Sequence, residues 1–217
     1  MDLYLSPHPD DAILSCGGRI ISEPGSKTVV NIFSGVYEGQ TDWDKLCGLT
    51  GRPMKARMEE DKKILQEVNV VSIYLDFYDR AFYDHLSQKE PEERSEKVKR
   101  KLSEVINKLS PKRVFCPYGI DHPDHKLTAK IGEKVLKDPI YYEDLPYSID
   151  RSLKGESNFN LSEGVLDEKI NLILSYETQL KGFLKLTDSD SVDQFVSKIK
   201  NHHLKNGRPV ERYFVEK

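Results

Sequence analysis

The chain has 217 residues, the length of one domain, or of one domain with a small appendage, and enough to bury a sizeable core. Hydrophobic residues make up 37% and charged residues 32%, the balance of a globular protein with a heavily charged surface. With 33 basic against 36 acidic residues there is no basic field to hold nucleic acid, and no apolar stretch approaches the ~20 residues that a membrane span needs.

"MDLYLS" opens the chain with neither a basic n-region nor a small-residue cleavage site, and reads as the first core strand of a cytoplasmic protein. "AILSCGGRIIS" follows as a helix with a loose Gly17-Gly18 centre. "TVVNIFSG" at 28–35 is a β-branched buried strand ending in Gly35. Residues 36–51, rich in Gly, Thr and Asp and holding the only tryptophan, Trp43, read as a long loop. "PMKARMEEDKKILQEVNV" is an amphipathic helix with Pro53 near its start. "VVSIYLDF" at 70–77 is the third strand, "DRAFYDHLSQKEPEE" a loop, and "RSEKVKRKLSEVINKL" at 94–109 a charged helix. "RVFCPY" at 113–118 is the fourth strand, "DHKLTAKIGEKVL" a helix, and "IYYEDLPYSI" a fifth strand with an aromatic exit loop. "DEKINLILSYETQLKGFL" reads as one late helix. "SDSVDQFVSKIKNHHLKNGRP" reads as a helix and turn, a candidate lid or partner contact, and "VERYFVEK" as an edge strand.

Strands alternating with helices at this spacing predict an α/β fold, a Rossmann-like three-layer sandwich whose mostly parallel sheet carries helices on both faces. A single domain over 1–217 is expected, with about 155–217 as a helical cap and edge strand. Cys16, Cys47 and Cys116 are odd in number, far apart and outside any C-x-x-C pair, so buried thiols are expected rather than disulfides. A homo-oligomer is compatible with the sequence, and nothing in it calls for one.

In such sheets ligands bind beyond the carboxyl ends of the strands. His8, Asp10 and Asp11 follow strand one, Asp79 and Arg80 follow strand three, "GIDHPDHK" follows strand four, and Glu143 and Asp144 follow strand five. An Asp-Asp pair alone is commonly a solvated helix N-terminus, and H-x-x-H alone a surface loop. Together, at the ends of strands one and four, they describe a metal site. A hydrolytic metal needs three protein ligands and an open position. His8, Asp11 and one histidine of the pair His122 and His125 would supply them, leaving Asp10 as a general base. A dication beside Asp11 also relieves the repulsion between the adjacent carboxylates. Imidazole and carboxylate suit zinc, with ferrous iron or another divalent metal left open.

"SPHPDDAILSCGG" with the later "HPDH" resembles the PIG-L/LmbE-like family of zinc-dependent N-acetylglucosaminyl deacetylases. "RMEEDKKILQEV", "FYDRAFY", "YYEDLPY" and "LSYETQLKGF" are similar to later segments of that family, so the likeness extends over most of the chain. The resemblance implies His8, Asp11 and His125 as metal ligands and Asp10 as the base. It implies His122 as the group that stabilises a tetrahedral oxyanion, with Asp124 orienting a histidine, His122 being the first choice. It also implies Arg57 as a substrate contact, against the alternative of an ion pair with Glu60 or Asp61 on its own helix. Asp79 and Arg80 are read as candidates to meet sugar hydroxyls, and Trp43, Tyr37 and Tyr118 as candidates to stack on a sugar ring. Ala12 departs from the glutamate common after the two aspartates in that family.

The activity so implied is hydrolysis of an N-acetylated amino-sugar conjugate by metal-activated water, giving acetate and a free amine. The alternatives are a metal-dependent hydrolase of another amide or ester, and a non-catalytic metal- or sugar-binding protein. No G-x-G-x-x-G follows strand one, which removes the usual signature of a dinucleotide enzyme.

Overall fold

The computed structural model describes residues 1–89, 91–149, 151, 153 and 155–215. Its sheet is built from β1 (Asp2–Ser6), β2 (Lys27–Asn31), β3 (Val70–Tyr74), β4 (Arg113–Pro117), β5 (Ile140–Tyr142), β6 (Glu156–Asn160) and β8 (Arg208–Phe214), in the order β3-β2-β1-β4-β5-β8-β6. β7 (Leu204–Lys205) pairs with β8 as a short hairpin. The first five strands pair in parallel, whereas β8 runs antiparallel to both β5 and β6.

Alternation along β1 divides the core. Tyr4 faces the larger cluster, with Ile13, Val29, Leu65, Phe115 and Ile170, while Leu3 and Leu5 face the other, with Val30, Val98, Leu102 and Ile131. The first cluster is covered by α1 (Asp11–Ser22), α3 (Pro53–Glu67) and α7 (Glu163–Leu174). The second is covered by α5 (Arg94–Leu109) and α6 (Pro123–Val135). This is the layered arrangement expected of strands that are buried on both faces.

Four elements differ from the expectation. The loop 36–51 contains α2 (Asp42–Cys47), closed by a reciprocal capping box between Thr41 and Asp44 and by Gly48 in the left-handed conformation. The stretch after β3 contains α4 (Arg80–His85), capped by Asp79. The late helix is two helices, α7 and α8 (Leu180–Leu186), because the turn between them is pinned to α3. There Tyr176 Oη donates to Asp61 at 2.7 Å, and the Thr178 N–H donates to Glu60 at 3.0 Å. β8 is not an edge strand: β6, in a polar stretch not read as a strand, lies outside it. Between them α9 (Val192–His203) packs on β8 through Phe195 and Ile199.

The order of the strands fixes the site. The chain runs outward from β1 through β2 to β3, then crosses back to place β4 on the other side of β1. That reversal opens a crevice between the carboxyl ends of β1 and β4. The loops carrying "HPDD" and "DHPDH" leave the sheet on either side of it.

Candidate metal and catalytic site

Asp10 is the N-cap of α1 and has φ of 140°, a backbone conformation that side-chain-bearing residues rarely adopt. Its carbonyl still accepts from the N–H groups of Ile13 and Leu14, so the strained residue is held by the helix it starts. Strain of this kind persists where the surrounding structure over-determines it, commonly at functional sites. Its effect here is to separate two adjacent carboxylates. Asp11 turns back, and its Oδ2 accepts the His8 N–H at 2.8 Å. Asp10 turns to Arg57 on α3, whose Nη2 stands 3.4 Å from Asp10 Oδ2.

Asp11 Oδ2 also lies 3.2 Å from His8 Nδ1 and 3.2 Å from His125 Nε2. Two ligands about 2.1 Å from one tetrahedral ion stand about 3.4 Å apart, so Asp11 Oδ2 is at the spacing of a shared cation from each of the two histidine nitrogens. Nitrogens of His8, His122 and His125 all fall within 4.8 Å of one another. These three imidazoles form a group, among the described residues, that could hold a metal ion. The His125 Nε2 atom is buried and makes no hydrogen bond of good geometry, Asp11 Oδ2 being its ion-pair contact, so it is placed to ligate a cation shared with Asp11. The donor set of imidazoles and a carboxylate suits a divalent metal.

Each of the two histidines beside Asp11 carries a second carboxylate on its far nitrogen. His125 Nδ1 is 2.6 Å from Asp144 Oδ1, and the other oxygen of Asp144 accepts the N–H groups of Gly119 and Ile120. His8 Nε2 is 3.1 Å from Asp124 Oδ2. Such partners fix the tautomer and turn the other nitrogen toward the metal. Asp124 therefore serves His8 rather than His122, whose Nδ1 is 4.0 Å from that carboxylate and instead accepts the Asp124 backbone N–H. Arg94, at the start of α5, donates to Asp124 Oδ1 at 2.7 Å and balances its charge.

The electrostatics follow from this packing. Burial opposes protonation of His8 and His125, but the hydrogen bonds and charges of Asp11, Asp124 and Asp144 outweigh it and raise them to about 9 and about 10. The same histidines hold the Asp11 carboxyl far below the usual range despite its burial. Burial and the neighbouring Asp11 charge push Asp10 up to about 7, against the pull of Arg57 and His8. Burial, with the positive charge of His8 and His125, lowers His122 to about 3, so its imidazole is neutral.

These groups line a cavity of about 220 Å³. Its polar lining is His8, Asp10, Asp11, Arg57, Asp79 and His122, and its apolar lining is Trp43 of α2, Phe183 and Leu186 of α8, Leu14, Pro146 and Tyr147, whose ring lies 5.7 Å from that of His122. Arg57 does not pair along its helix. Glu60 is taken by Thr178, and Asp61 by Asn31, Tyr74 and Tyr176. Asp79 is buried in the cavity wall, where one oxygen accepts the Phe82 N–H. The Arg80 side chain pairs with Asp84, and this residue reaches the site through its backbone N–H, which donates to Asp124. Tyr37 donates to Asp44, and Tyr118 packs against Phe214. Neither belongs to the cavity lining.

Asp144, Arg94 and Tyr147 are the site residues that the sequence did not single out for these roles. Asp144 had the one available signal, a carboxylate directly after a parallel strand. Arg94 stands 30 positions from the aspartate it neutralises, and nothing local announces that contact.

The fold and the crevice define a class: an α/β protein built to hold a divalent cation beside a buried carboxylate at the switch point of its sheet. The family described as PIG-L, GlcNAc-PI de-N-acetylase, matches residues 3–136, and the chain belongs to that family. It is 25% identical over 238 residues to the 2'-N-acetylparomamine deacetylase of Streptomyces fradiae, which covers 95% of this chain and 79% of that protein. Among solved structures it is similar to the A40926 pseudoaglycone deacetylase Dbv21, with a TM-score of 0.82, 21% identity and coverage of 99% of this chain and 96% of that one. It is also similar to the zinc-inhibited form of teicoplanin deacetylase Orf2, with a TM-score of 0.80, 20% identity and coverage of 98% and 96%. No helix among the described residues is long and apolar enough to cross a membrane.

Proposed function

We propose that this protein is a metal-dependent N-deacetylase that removes the acetyl group from an N-acetylated amino-sugar conjugate. The observation that carries the reading is the convergence of His8 Nδ1, Asp11 Oδ2 and His125 Nε2, with Asp10 beside them and the cavity open in front. Family membership and the deacetylase relatives support the same reaction.

In this reading His8, Asp11 and His125 hold the cation, with zinc the first choice. When bound, it supplies the positive charge that polarises an amide carbonyl and acidifies a water. Asp10 takes the proton of the attacking water on its carboxylate and passes it to the leaving nitrogen. His122 is neutral, and its Nδ1 is occupied as an acceptor, so Nε2 carries the hydrogen. That N–H is the donor for the oxyanion that develops on the acetyl carbonyl. Arg57 holds Asp10 in place and keeps its other donors for the sugar, and Asp79 offers its second oxygen to a hydroxyl. Acetate and the free amine are the products. The compartment we assign is the cytoplasm, which three buried unpaired cysteines support.

Acetate release from N-acetylglucosamine conjugates tests the reading. Zinc-loaded protein is expected to release acetate, chelation to abolish the release, and Asp10→Asn to cut it by about 10²–10⁴. Turnover that survives both treatments would end the mechanism.

A further inference from the structure

One apolar wall of the cavity is held by contacts that the catalytic groups do not make. Trp43 is fixed from two sides. Its Nε1–H donates to Gln179 Oε1 at 2.8 Å, and Gln179 is itself fully buried and donates to the Thr178 carbonyl at 2.9 Å. Against the indole face stands Gly182 of α8, where a Cβ would lie 2.2 Å from the ring. Only glycine lets the two helices close on the ring at that distance. One turn further along α8, Leu186 is 40% exposed at the rim of the same cavity.

About 220 Å³ is below the ~300–1,000 Å³ of pockets that enclose a drug-sized ligand, so an acetamido sugar fills the cavity and its substituent lies toward the rim, where Leu186 is exposed.

Resting on the deacetylase reading, we propose that Trp43 and Leu186 form an apolar subsite that selects substrates whose acetamido sugar carries an aryl or alkyl group, over the free sugar and over its phosphate, neither of which has apolar surface to bury against it. Trp43 is the specificity-determining residue. Its indole offers a rigid flat face at little cost in side-chain entropy, and the rim leucine extends that face outward.

The test compares p-nitrophenyl N-acetyl-β-glucosaminide, free N-acetylglucosamine and N-acetylglucosamine 1-phosphate with the zinc-loaded protein. The aryl glycoside is expected to have a kcat/KM at least tenfold above either of the others, with the difference lying in KM. Trp43→Ala is expected to raise the KM for the aryl glycoside about tenfold and to remove its advantage. Leu186→Ser, at an exposed position that the fold does not need, is expected to act in the same direction. Binding is read separately, because Trp43 is the only tryptophan in the chain and the aryl glycoside quenches its fluorescence directly. Quenching with a Kd at least tenfold below that of the free sugar, without acetate release, would retain the subsite and end the deacetylase reading. Acetate release at equal kcat/KM from all three compounds, or a preference for the phosphate, would overturn the subsite and leave the deacetylase reading intact. Neither quenching nor a preference in turnover would also overturn it.

Discussion

His8 and Asp124 lie 116 positions apart and meet at 3.1 Å, Nε2 to Oδ2, at the base of the crevice between β1 and β4. The contact joins the two motifs before any cation is considered. The same carboxylate is buried completely, takes the Arg80 N–H at 2.8 Å and is neutralised by Arg94 at 2.7 Å. Asp124 is thus a fixed negative charge whose one imidazole contact sets which nitrogen His8 turns toward Asp11.

Asp124→Asn is therefore expected to weaken zinc binding about 10–100-fold, the usual effect of removing such an outer partner. Competition with a chromophoric chelator measures it, with a thermal melt to show that the variant is folded. An unchanged affinity would mean that His8 is oriented by something other than Asp124.

His122 and Asp11 separate under the same measurement. Asp11→Ala is expected to lose the metal, because Asp11 Oδ2 is the atom between the two histidine nitrogens. His122→Ala is expected to keep the metal and lose about 10²–10³ in kcat, the size of a missing oxyanion donor. Asp10→Asn keeps the metal too and loses about 10²–10⁴. Metal loss in His122→Ala equal to that in Asp11→Ala would make His122 a ligand and leave the oxyanion without its donor.

Much of this site could be read from the chain because its parts are local. His8, Asp10 and Asp11 occupy one strand-to-helix turn, and His122 and His125 another, and parallel strands deliver such turns to one edge of a sheet. The parts that could not be read are held from far away. Asp124 reads as a partner of its near neighbour His122, yet it faces His8 across the sheet. α2 hides in a polar stretch because six residues show no helical period, and its capping box between Thr41 and Asp44 is a signal of only four residues. β8 reads as an edge because "VERYF" carries charges, but Glu211 is buried and its charge is met by Lys169 from another element.

Asp61 gives a stability prediction with a definite sign. It is buried where Asn31, Tyr74 and Tyr176 donate to its two oxygens, and burial, outweighing those donors, raises it from 3.8 to about 6. Between those values the native protein retains a proton that the unfolded chain has released. Stability from this group is therefore full below about pH 4 and falls as pH rises toward 6, by at most about 3 kcal/mol. Asp61→Asn removes the titration. The melting temperature of the variant, taken relative to the parent protein, is expected to climb from pH 4 to pH 6 and to level off above. A difference that stays flat across the range would show that Asp61 is ionised throughout.

Lys169 and Glu211 supply the last prediction, because a fully buried ion pair is an uncommon way to close a sheet. Lys169 Nζ of α7 stands 2.7 Å from Glu211 Oε1 of β8. The Glu211 carboxylate also accepts the N–H groups of Gly18 and Arg19 in the middle of α1 and the Tyr213 hydroxyl. Glycine at 18 is required for that approach, since a Cβ there would lie 2.6 Å from Leu161 and 2.9 Å from the carboxylate itself. Lys169→Met removes the counter-charge and leaves Glu211 buried against neutral donors, an expected loss of about 3–5 kcal/mol. Adding Glu211→Gln removes the stranded charge while an amide oxygen still accepts from α1, so the double variant is expected to be more stable than Lys169→Met alone. Urea unfolding of the parent, Lys169→Met, Glu211→Gln and the double variant measures the coupling, expected at about 0.5–3 kcal/mol. Additive losses would mean that the two charges do not stabilise each other, and that the donors of α1 and Tyr213 suffice to hold Glu211 without the lysine.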